Sequence, residues 1–191
     1  MDSLDEHTAV EEVLAGASQP VLHYLMRYVG DRAIAEDLQQ ETLVRIARGW
    51  SSFDGRSSVK TWAFSIASRV AADYFRHPDR QARIVELDEA SNVPDTDPTI
   101  GDRLIQDEMS RCVREVIDSL PDTYRAALIL HDLEGLSAEQ TAQACECSVA
   151  TAKIRIHRAR QRLREALAQA CSFYHDGEGV YRCDRKAQEA G

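Results

Sequence analysis

The sequence lacks the features of secreted and membrane proteins. No apolar run approaches the ~18 residues that span a bilayer. The acidic start of the chain also has no basic segment followed by an apolar one, as a secretory signal peptide has. Only five residues are cysteine, an odd number and too few for a dense disulfide framework. These absences predict a soluble, cytoplasmic protein that does not insert into a membrane.

The sequence also lacks a catalytic or cofactor-binding motif. It contains neither a glycine-rich phosphate loop nor a His-Glu-x-x-His pair, and its six histidines have no ligand spacing. We therefore expect no enzymatic activity and no cofactor. Near the C-terminus, a turn at 176–179 would bring Cys171, His175 and Cys183 close together. Three ligands make only a weak metal site, so a packed tail without metal is the simpler interpretation.

Positive charge is scarce, with 23 basic residues against 32 acidic ones and a net charge of −9. A protein that binds nucleic acid by itself usually carries a basic domain. This charge balance therefore argues against an autonomous nucleic-acid-binding protein. The excess is local, because residues 87–110 contain one basic and seven acidic residues. Two prolines and little apolar content predict a flexible acidic linker here. The chain is thereby divided into four predicted parts: an N-terminal domain at 1–86, the linker at 87–103, a second domain at 104–170 and a tail with a possible hairpin at 171–191.

Apolar residues recur at spacings of three and four in both predicted domains, which is typical of amphipathic helices. In the first domain the pattern predicts a short helix that ends near Pro20 and a second that ends at Gly30. A third helix is capped by Asp31, and a fourth runs over about 58–76. Only a few residues near the C-terminus alternate with period two. The predicted fold class is therefore all-α, with two small helical domains.

The second domain contains the pattern of a helix-turn-helix. Ser137 and Gln140 form a capping box before a short helix, and Ser148 follows a break and caps the next helix. That helix is amphipathic, and its polar positions carry six cations: Lys153, Arg155, Arg158, Arg160, Arg162 and Arg164. A solvated basic face is the ordinary alternative. Because the chain is acidic overall, six cations on one helix favour insertion into the major groove of DNA.

These segments carry a family resemblance. The residues at 120–130, 134–137 and 151–160 resemble the promoter-recognising C-terminal domain of bacterial sigma factors of the extracytoplasmic-function (ECF) group. Independently, 35–43 resembles the helix of that group that binds core polymerase. The segment 60–76 resembles its helix for the −10 promoter element. The resemblance covers about residues 20 to 168 and implies a sigma factor.

The resemblance also implies roles for individual residues. The polymerase-binding residues would be Asp37, Gln40, Glu41 and Arg45, together with Arg48. Contacts to the −10 element would come from Lys60, Thr61, Phe64, Ser65, Arg69, Asp73 and Arg76. The −35 element would be recognised by Thr151, Lys153, Ile154, Arg155, His157 and Arg158. Phe64 lies off the apolar stripe and is expected to be exposed, whereas Trp62 lies on the stripe and is expected to pack in the core.

The sequence departs from the family pattern at two positions. Arg69 stands where an asparagine is usual, which leaves the preferred base of the −10 element open. Glu146 stands at the break of the helix-turn-helix, where glycine is usual. A non-glycine residue at positive φ costs about 1 kcal/mol, so we expect a turn that is either altered or locally strained.

The implied partners are core RNA polymerase, promoter DNA and an anti-sigma factor, which in this family is membrane-anchored and covers the surfaces between the domains. The alternative from another class is a one-component regulator, in which an N-terminal sensory domain controls the same helix-turn-helix. The first domain distinguishes the two, since a sensor would need neither the 37–41 helix nor the helix that carries Trp62.

Overall fold

The computed structural model describes residues 3–76, 113–179 and 181–186. Six α-helices have defined bounds: α1 (Ser3–Val29), α2 (Arg32–Gly49), α3 (Val59–Arg76), α4 (Asp122–Leu128), α5 (Ala138–Ala144) and α6 (Val149–Ala170). A 3-10 turn, Trp50–Ser52, follows α2. Residues 113–118 are also helical, and Ile129–Leu133 continues α4 as a π-helical turn. The predicted linker at 87–103 and the start of the second domain up to 112 lie outside the described residues. None of the described helices is long and apolar enough to cross a bilayer.

The N-terminal lobe, residues 3–76, consists of α1, α2 and α3 packed against one another. Asp31 caps α2 as predicted, since its Oδ1 accepts a hydrogen bond from the backbone N–H of Ile34 at 2.9 Å. The predicted break near Pro20 is wrong, because α1 runs unbroken through it. Proline inside a helix costs about 3 kcal/mol. Burial of the aromatic and aliphatic side chains that follow offsets this cost: Val21, Tyr24, Leu25 and Tyr28.

Phe64 is buried, with 1% of its surface exposed, and its ring meets that of Tyr24 edge-on at 5.5 Å. The prediction of an exposed Phe64 is therefore wrong. The apolar spacing identified one buried stripe, but α3 contacts α1, α2 and α5, so more than one of its faces is covered. Trp62 is half-buried and packs on Trp50 and Phe53, with ring centroids 6.2 and 5.0 Å away.

The C-terminal lobe, residues 113–186, contains the predicted helix-turn-helix in α5 and α6. Ser137 Oγ accepts from the backbone N–H of Gln140, and the Gln140 side chain accepts from the N–H of Ser137, so the capping box is confirmed. Ser148 Oγ likewise accepts from the N–H of Thr151 at 3.1 Å and begins α6. Between the helices Glu146 has φ of 50°, so of the two alternatives for this turn the structure shows the locally strained one.

After α6 the chain forms two antiparallel strands, β1 (Cys171–His175) and β2 (Tyr181–Arg185). Cys171 is buried and lies opposite Arg185, while Cys183 lies opposite Phe173. Neither cysteine forms a disulfide, and both lie on the same face of the hairpin, in pairs that are separated by the pair Ser172–Asp184. Within the described residues, no group of three or more His, Cys, Asp and Glu side chains is placed to hold a metal ion.

Substitution of Ser137 by alanine is expected to lower the free energy of unfolding by about 1 kcal/mol, because the Gln140 amide loses its acceptor and the capping box is broken. Ser137→Thr keeps the hydroxyl and should lose less than half of that. Urea denaturation followed by circular dichroism measures both values. Equal losses for alanine and threonine would show that the cap does not stabilise α5.

Candidate nucleic-acid interface

The exposed side of α6 is the most cationic helical surface among the described residues. Ala152, Ile156 and Ala159 are buried against the rest of the C-terminal lobe and fix which side of α6 faces outward. Val149, at the start of the same apolar stripe, is 37% exposed instead of buried. The six side chains predicted to contact the −35 element are all at least partly accessible: Lys153, Ile154, His157 and Arg158 are exposed, and Thr151 and Arg155 are half-buried.

Two side chains that the sequence analysis did not select hold arginines of α6 in place. Tyr124 Oη accepts a hydrogen bond from Arg158 Nη1 at 3.4 Å, and Arg162 lies over the same ring at 5.0 Å. This hydrogen bond and the nearby positive charges lower the pKa of Tyr124. Both carboxylate oxygens of Asp132 accept hydrogen bonds from Arg160, and this bidentate ion pair raises the pKa of the Arg160 guanidinium. Arg160 nevertheless stays exposed beside this ion pair.

A cleft of about 620 Å³ lies along α6 and is mainly basic. His131 stands on the opposite wall, with its Nδ1 2.6 Å from the carbonyl oxygen of Leu136. The charged and polar lining residues from α6 are Lys153, His157, Arg160, Gln161, Arg164 and Glu165. Convergence of cations on one open cleft suits the phosphates of a nucleic-acid backbone.

The predicted polymerase-binding residues lie together on the outer face of α2. Asp37, Gln40, Glu41, Arg45 and Arg48 are all exposed. Arg45 forms ion pairs with Glu41 at 2.6 Å and with Asp73 of α3 at 3.6 Å. The opposite face of α2 is buried and comprises Ala35, Leu38, Thr42 and Ile46. The helix thus leaves a continuous polar surface open to a partner.

The seven residues predicted to contact the −10 element do not form one accessible surface. Lys60, Arg69 and Arg76 are exposed, and Asp73 is half-buried and paired with Arg76 at 3.0 Å. The other three are buried: Thr61, Phe64 and Ser65. The Thr61 hydroxyl lies 2.8 Å from that of Ser58 at the start of α3, and Ser65 Oγ donates to the carbonyl of Trp62. Both hydroxyls are therefore used within α3.

The C-terminal lobe packs directly on this part of α3. Helix α5 contacts α3, and Lys60 Nζ donates to the carbonyl of Glu134 at 3.5 Å. Arg69 Nη2 lies 3.2 Å from Oε1 of Glu146, the strained residue of the helix-turn-helix. Arg27, near the end of α1, reaches the side chain of Glu134 at 2.7 Å. The helix predicted to recognise the −10 element is thus adjacent to the helix-turn-helix.

Arg125 is the central residue of this contact and is only 8% exposed. Its guanidinium donates to the carbonyl of Tyr28 in the N-terminal lobe and to those of Asp118 and Leu120 in its own lobe. It also lies 5.5 and 5.3 Å from the ring centroids of Tyr28 and Phe75. The sequence analysis missed Arg125, although an arginine directly before the apolar run 126–130 was a usable signal.

Taken together, these features define a two-lobed, DNA-binding helical protein whose separate helices offer a partner surface and a basic recognition helix. Comparison with known families identifies the class more narrowly. Residues 17–81 match "Sigma-70 region 2" and residues 110–163 match "Sigma-70, region 4". The chain belongs to the sigma-70 family, in its ECF group, and is a sigma factor that directs RNA polymerase to promoters.

Individual relatives support the same assignment to the sigma factors. The RNA polymerase sigma-H factor of Pseudomonas aeruginosa is 32% identical over 154 residues, which are 77% of this chain and 80% of that protein. The ECF sigma factor SigX of Bacillus subtilis is 33% identical over 150 residues, 77% of each chain. Because 17–81 is a sigma region, these matches favour a sigma factor over a regulator with an N-terminal sensory domain.

Solved structures show the same fold. The sigma factor RpoE of Bartonella quintana, in complex with the anti-sigma factor NepR, has a TM-score of 0.57 and 25% identity, covering 86% of this chain and 97% of that one. CnrH in complex with the cytosolic domain of CnrY has a TM-score of 0.59 at 18% identity, covering 85% and 89%. At that identity the similarity to CnrH is one of fold alone.

Proposed function

We propose that three surfaces of the protein have separate roles in promoter recognition. The outer face of α2 docks on core RNA polymerase, α3 contacts the −10 element and α6 contacts the −35 element. The observation that carries this assignment is the difference in charge between the surfaces: α2 presents mixed charge with Glu41 and Arg45, whereas α6 presents cations. A clamp-like protein partner and an anionic duplex need these different surfaces.

On α6, the N-terminal half of the helix supplies the base contacts. Arginine can pair bidentately with a guanine edge, and Arg155 and Arg158 stand on the accessible side of the helix near its start. Tyr124 orients Arg158, and Asp132 orients Arg160 beside the basic cleft. Arg162 and Arg164, farther along, are placed to meet phosphates.

On α3, the accessible residues Lys60, Arg69, Asp73 and Arg76 form the surface for the −10 element. Extracting a base from the duplex costs a few kcal/mol of stacking free energy. Favourable contacts between the base and a polar pocket must offset this cost. Buried Thr61, Phe64 and Ser65 shape α3 from beneath and do not face DNA in this arrangement.

The decisive experiment combines the purified protein with sigma-free core polymerase and genomic fragments. Run-off transcripts that start at a small set of promoters are the expected result. Tight operator binding by the protein alone, with no promoter-dependent transcript, would instead establish a one-component regulator. The reaction with core polymerase alone is the control for non-specific initiation.

We also propose that an anti-sigma factor, anchored in the membrane, holds this cytoplasmic protein inactive. RpoE was solved in complex with the anti-sigma factor NepR, and the surfaces between the two lobes are where such a partner would act. Affinity purification of the tagged full chain from detergent-solubilised cells tests the proposal. A membrane protein that blocks run-off transcription when added back would support it, and a co-purifying protein without that effect would not.

The chain length and the two-lobed architecture further suggest the sigma factor of a nickel–cobalt resistance system. CnrH supports this suggestion through its fold only. The amount of transcripts that depend on this protein should then rise when cells are exposed to Ni²⁺ or Co²⁺. An equal response in cells that lack the protein would refute the assignment.

Free protein is expected to bind promoter duplex at least about tenfold more weakly than the polymerase-bound form does. Its net charge of −9 opposes approach to DNA, although α6 is locally basic. Fluorescence anisotropy with one promoter duplex at a fixed salt concentration compares the affinities of the free and the polymerase-bound protein. Equal affinities would mean that polymerase adds nothing to DNA binding.

A further inference from the structure

Ile154 is the most exposed large apolar side chain among the described residues, with 52% of its surface accessible. It lies in the second turn of α6, on the side away from the buried residues Ala152, Ile156 and Ala159. Apolar surface that stays in water contributes nothing to folding. The packing of the C-terminal lobe therefore gives no reason for an aliphatic residue at this position.

The side of α6 that carries Ile154 is apolar over the first two turns of the helix. Ala150 precedes Ile154 by four residues, so the two side chains lie on the same side, and Ala150 is exposed as well. The hydroxyl of the neighbouring Thr151 lies 2.8 Å from that of Ser148, so it is engaged at the start of the helix. Ala150 and Ile154 thus form an apolar strip that is open to solvent.

Arginines farther along α6 lie on both sides of this apolar strip. Arg162 lies over the ring of Tyr124, 5.0 Å from its centroid, and Arg160 Nε donates to Oδ2 of Asp132 at 2.9 Å. At about 100° per residue, Arg162 is turned about 80° from Ile154 in one direction and Arg160 about 120° in the other. A helix in the major groove has a phosphate backbone on each side and base edges between them. When the arginines face the two backbones, the apolar strip faces the base edges.

The chemistry of the base edges restricts what Ile154 can recognise. In the major groove the bases present hydrogen-bond donors and acceptors and a single apolar group, the C5-methyl of thymine. An isoleucine side chain has neither a donor nor an acceptor. Against the amino group of cytosine or adenine it would leave that donor with neither water nor a partner, which is unfavourable. The thymine methyl is therefore the group that complements this side chain.

We propose that Ile154 determines specificity for thymine at one position of the −35 element, by packing on the C5-methyl group of that base. The proposal rests on the assignment of α6 to the −35 element. It adds an apolar contact to the hydrogen bonds assigned to Arg155 and Arg158, and it concerns a group that an arginine cannot select. Substitution of Ile154 changes the base preference at this position, whereas loss of a phosphate contact weakens binding to all duplexes alike.

Deoxyuridine tests this contact alone, because it pairs as thymidine does but lacks the methyl group. The full chain is first used to select duplexes from a randomised library at low salt, where binding to DNA is strongest. The selected duplex is then synthesised with deoxyuridine at one thymine at a time, and fluorescence anisotropy measures each affinity. At one thymine, the native protein should bind the uracil duplex about fourfold more weakly, which corresponds to the loss of one buried methyl group. At the other thymines the replacement should have little effect.

Three variants assign the methyl preference to a residue. Ile154→Ala should bind the thymine and uracil duplexes equally, because the methyl group has lost its partner. Ile154→Val keeps a branched side chain that is one methylene shorter, so it should retain a preference of about twofold. Leu133→Ala is the matched control: it removes another exposed aliphatic side chain, 43% accessible, from the same lobe but outside α6, and should keep the full preference. Circular dichroism checks that each variant is folded.

Equal binding of the thymine and uracil duplexes by the native protein would overturn the proposal, as would an undiminished preference in Ile154→Ala. If the chain selects no sequence at all, α6 is not a recognition helix and the proposal falls with that assignment. The selection contains no polymerase, so its outcome is separate from that of the run-off experiment. Promoter-specific transcripts without a methyl preference would keep the proposed function and refute this contact. A preference that depends on Ile154, without such transcripts, would support the contact and refute the proposed roles of the three surfaces.

Discussion

Arg125→Ala is expected to lower the free energy of unfolding by about 3 kcal/mol, the largest effect of any single substitution considered for stability. A buried hydrogen bond to a charged donor contributes roughly 1.5–3 kcal/mol, and its loss leaves the carbonyls of Tyr28 and Leu120 without this donor. The rings of Tyr28 and Phe75 also lose their contact with the cation. Urea denaturation of the full chain measures the change.

Two controls separate this role from a general effect of charge. Arg125→Lys keeps the charge but not the planar fork that serves several carbonyls, so it should recover less than half of the loss. Arg158→Ala removes an exposed arginine and should change stability by less than about 0.5 kcal/mol. A loss below about 1 kcal/mol for Arg125→Ala would show that the lobes are held together by other contacts.

Arg155→Ala and Arg158→Ala are each expected to reduce promoter-specific transcription by about 10- to 100-fold while leaving the affinity for core polymerase unchanged. A bidentate contact between arginine and a base edge is worth about 1–3 kcal/mol of discrimination, which corresponds to this range. Run-off transcription gives the first quantity, and fluorescence titration with core polymerase gives the second.

Arg164→Ala is the matched control, since it removes the same charge from the same helix, about two and a half turns from Arg155 and more than one and a half from Arg158. A phosphate contact carries no sequence information, so its effect should be smaller and equal at all promoters. If Arg155→Ala and Arg158→Ala both fail to bind core polymerase, α6 is not the recognition helix for the −35 element.

Local rules explain most of what the sequence predicted correctly. Asp31, Ser137 and Ser148 each act through a side chain that satisfies a backbone N–H within three residues, so their positions alone identify the helix starts. At Glu146 the sequence left an altered and a strained turn open, and the φ of 50° decides for the strained one. Because helical periodicity is local too, the all-α architecture followed from the spacing of apolar residues.

The incorrect predictions concern contacts between residues distant in the chain. A proline stops a helix in isolation, but α1 continues through Pro20 because the next turns bury Tyr24 and Tyr28. Phe64 was expected to be exposed because it lies off the single apolar stripe of α3. That stripe does not reveal that helices on other sides also cover α3. The ion pair of Asp132 with Arg160 was not predicted either, because the two residues are 28 apart and nothing in the spacing connects them.

The capping of α1 by Arg125 of the C-terminal lobe has a consequence for biosynthesis. Arg125 follows Tyr28 by 97 residues, which a ribosome adds in roughly 5–20 s at ~5–20 residues per second. During that interval the carbonyl of Tyr28 lacks its donor from the other lobe, and α5 does not yet exist to pack on α3. The N-terminal lobe of the nascent chain is therefore synthesised while the face of α3 that α5 later covers is still exposed.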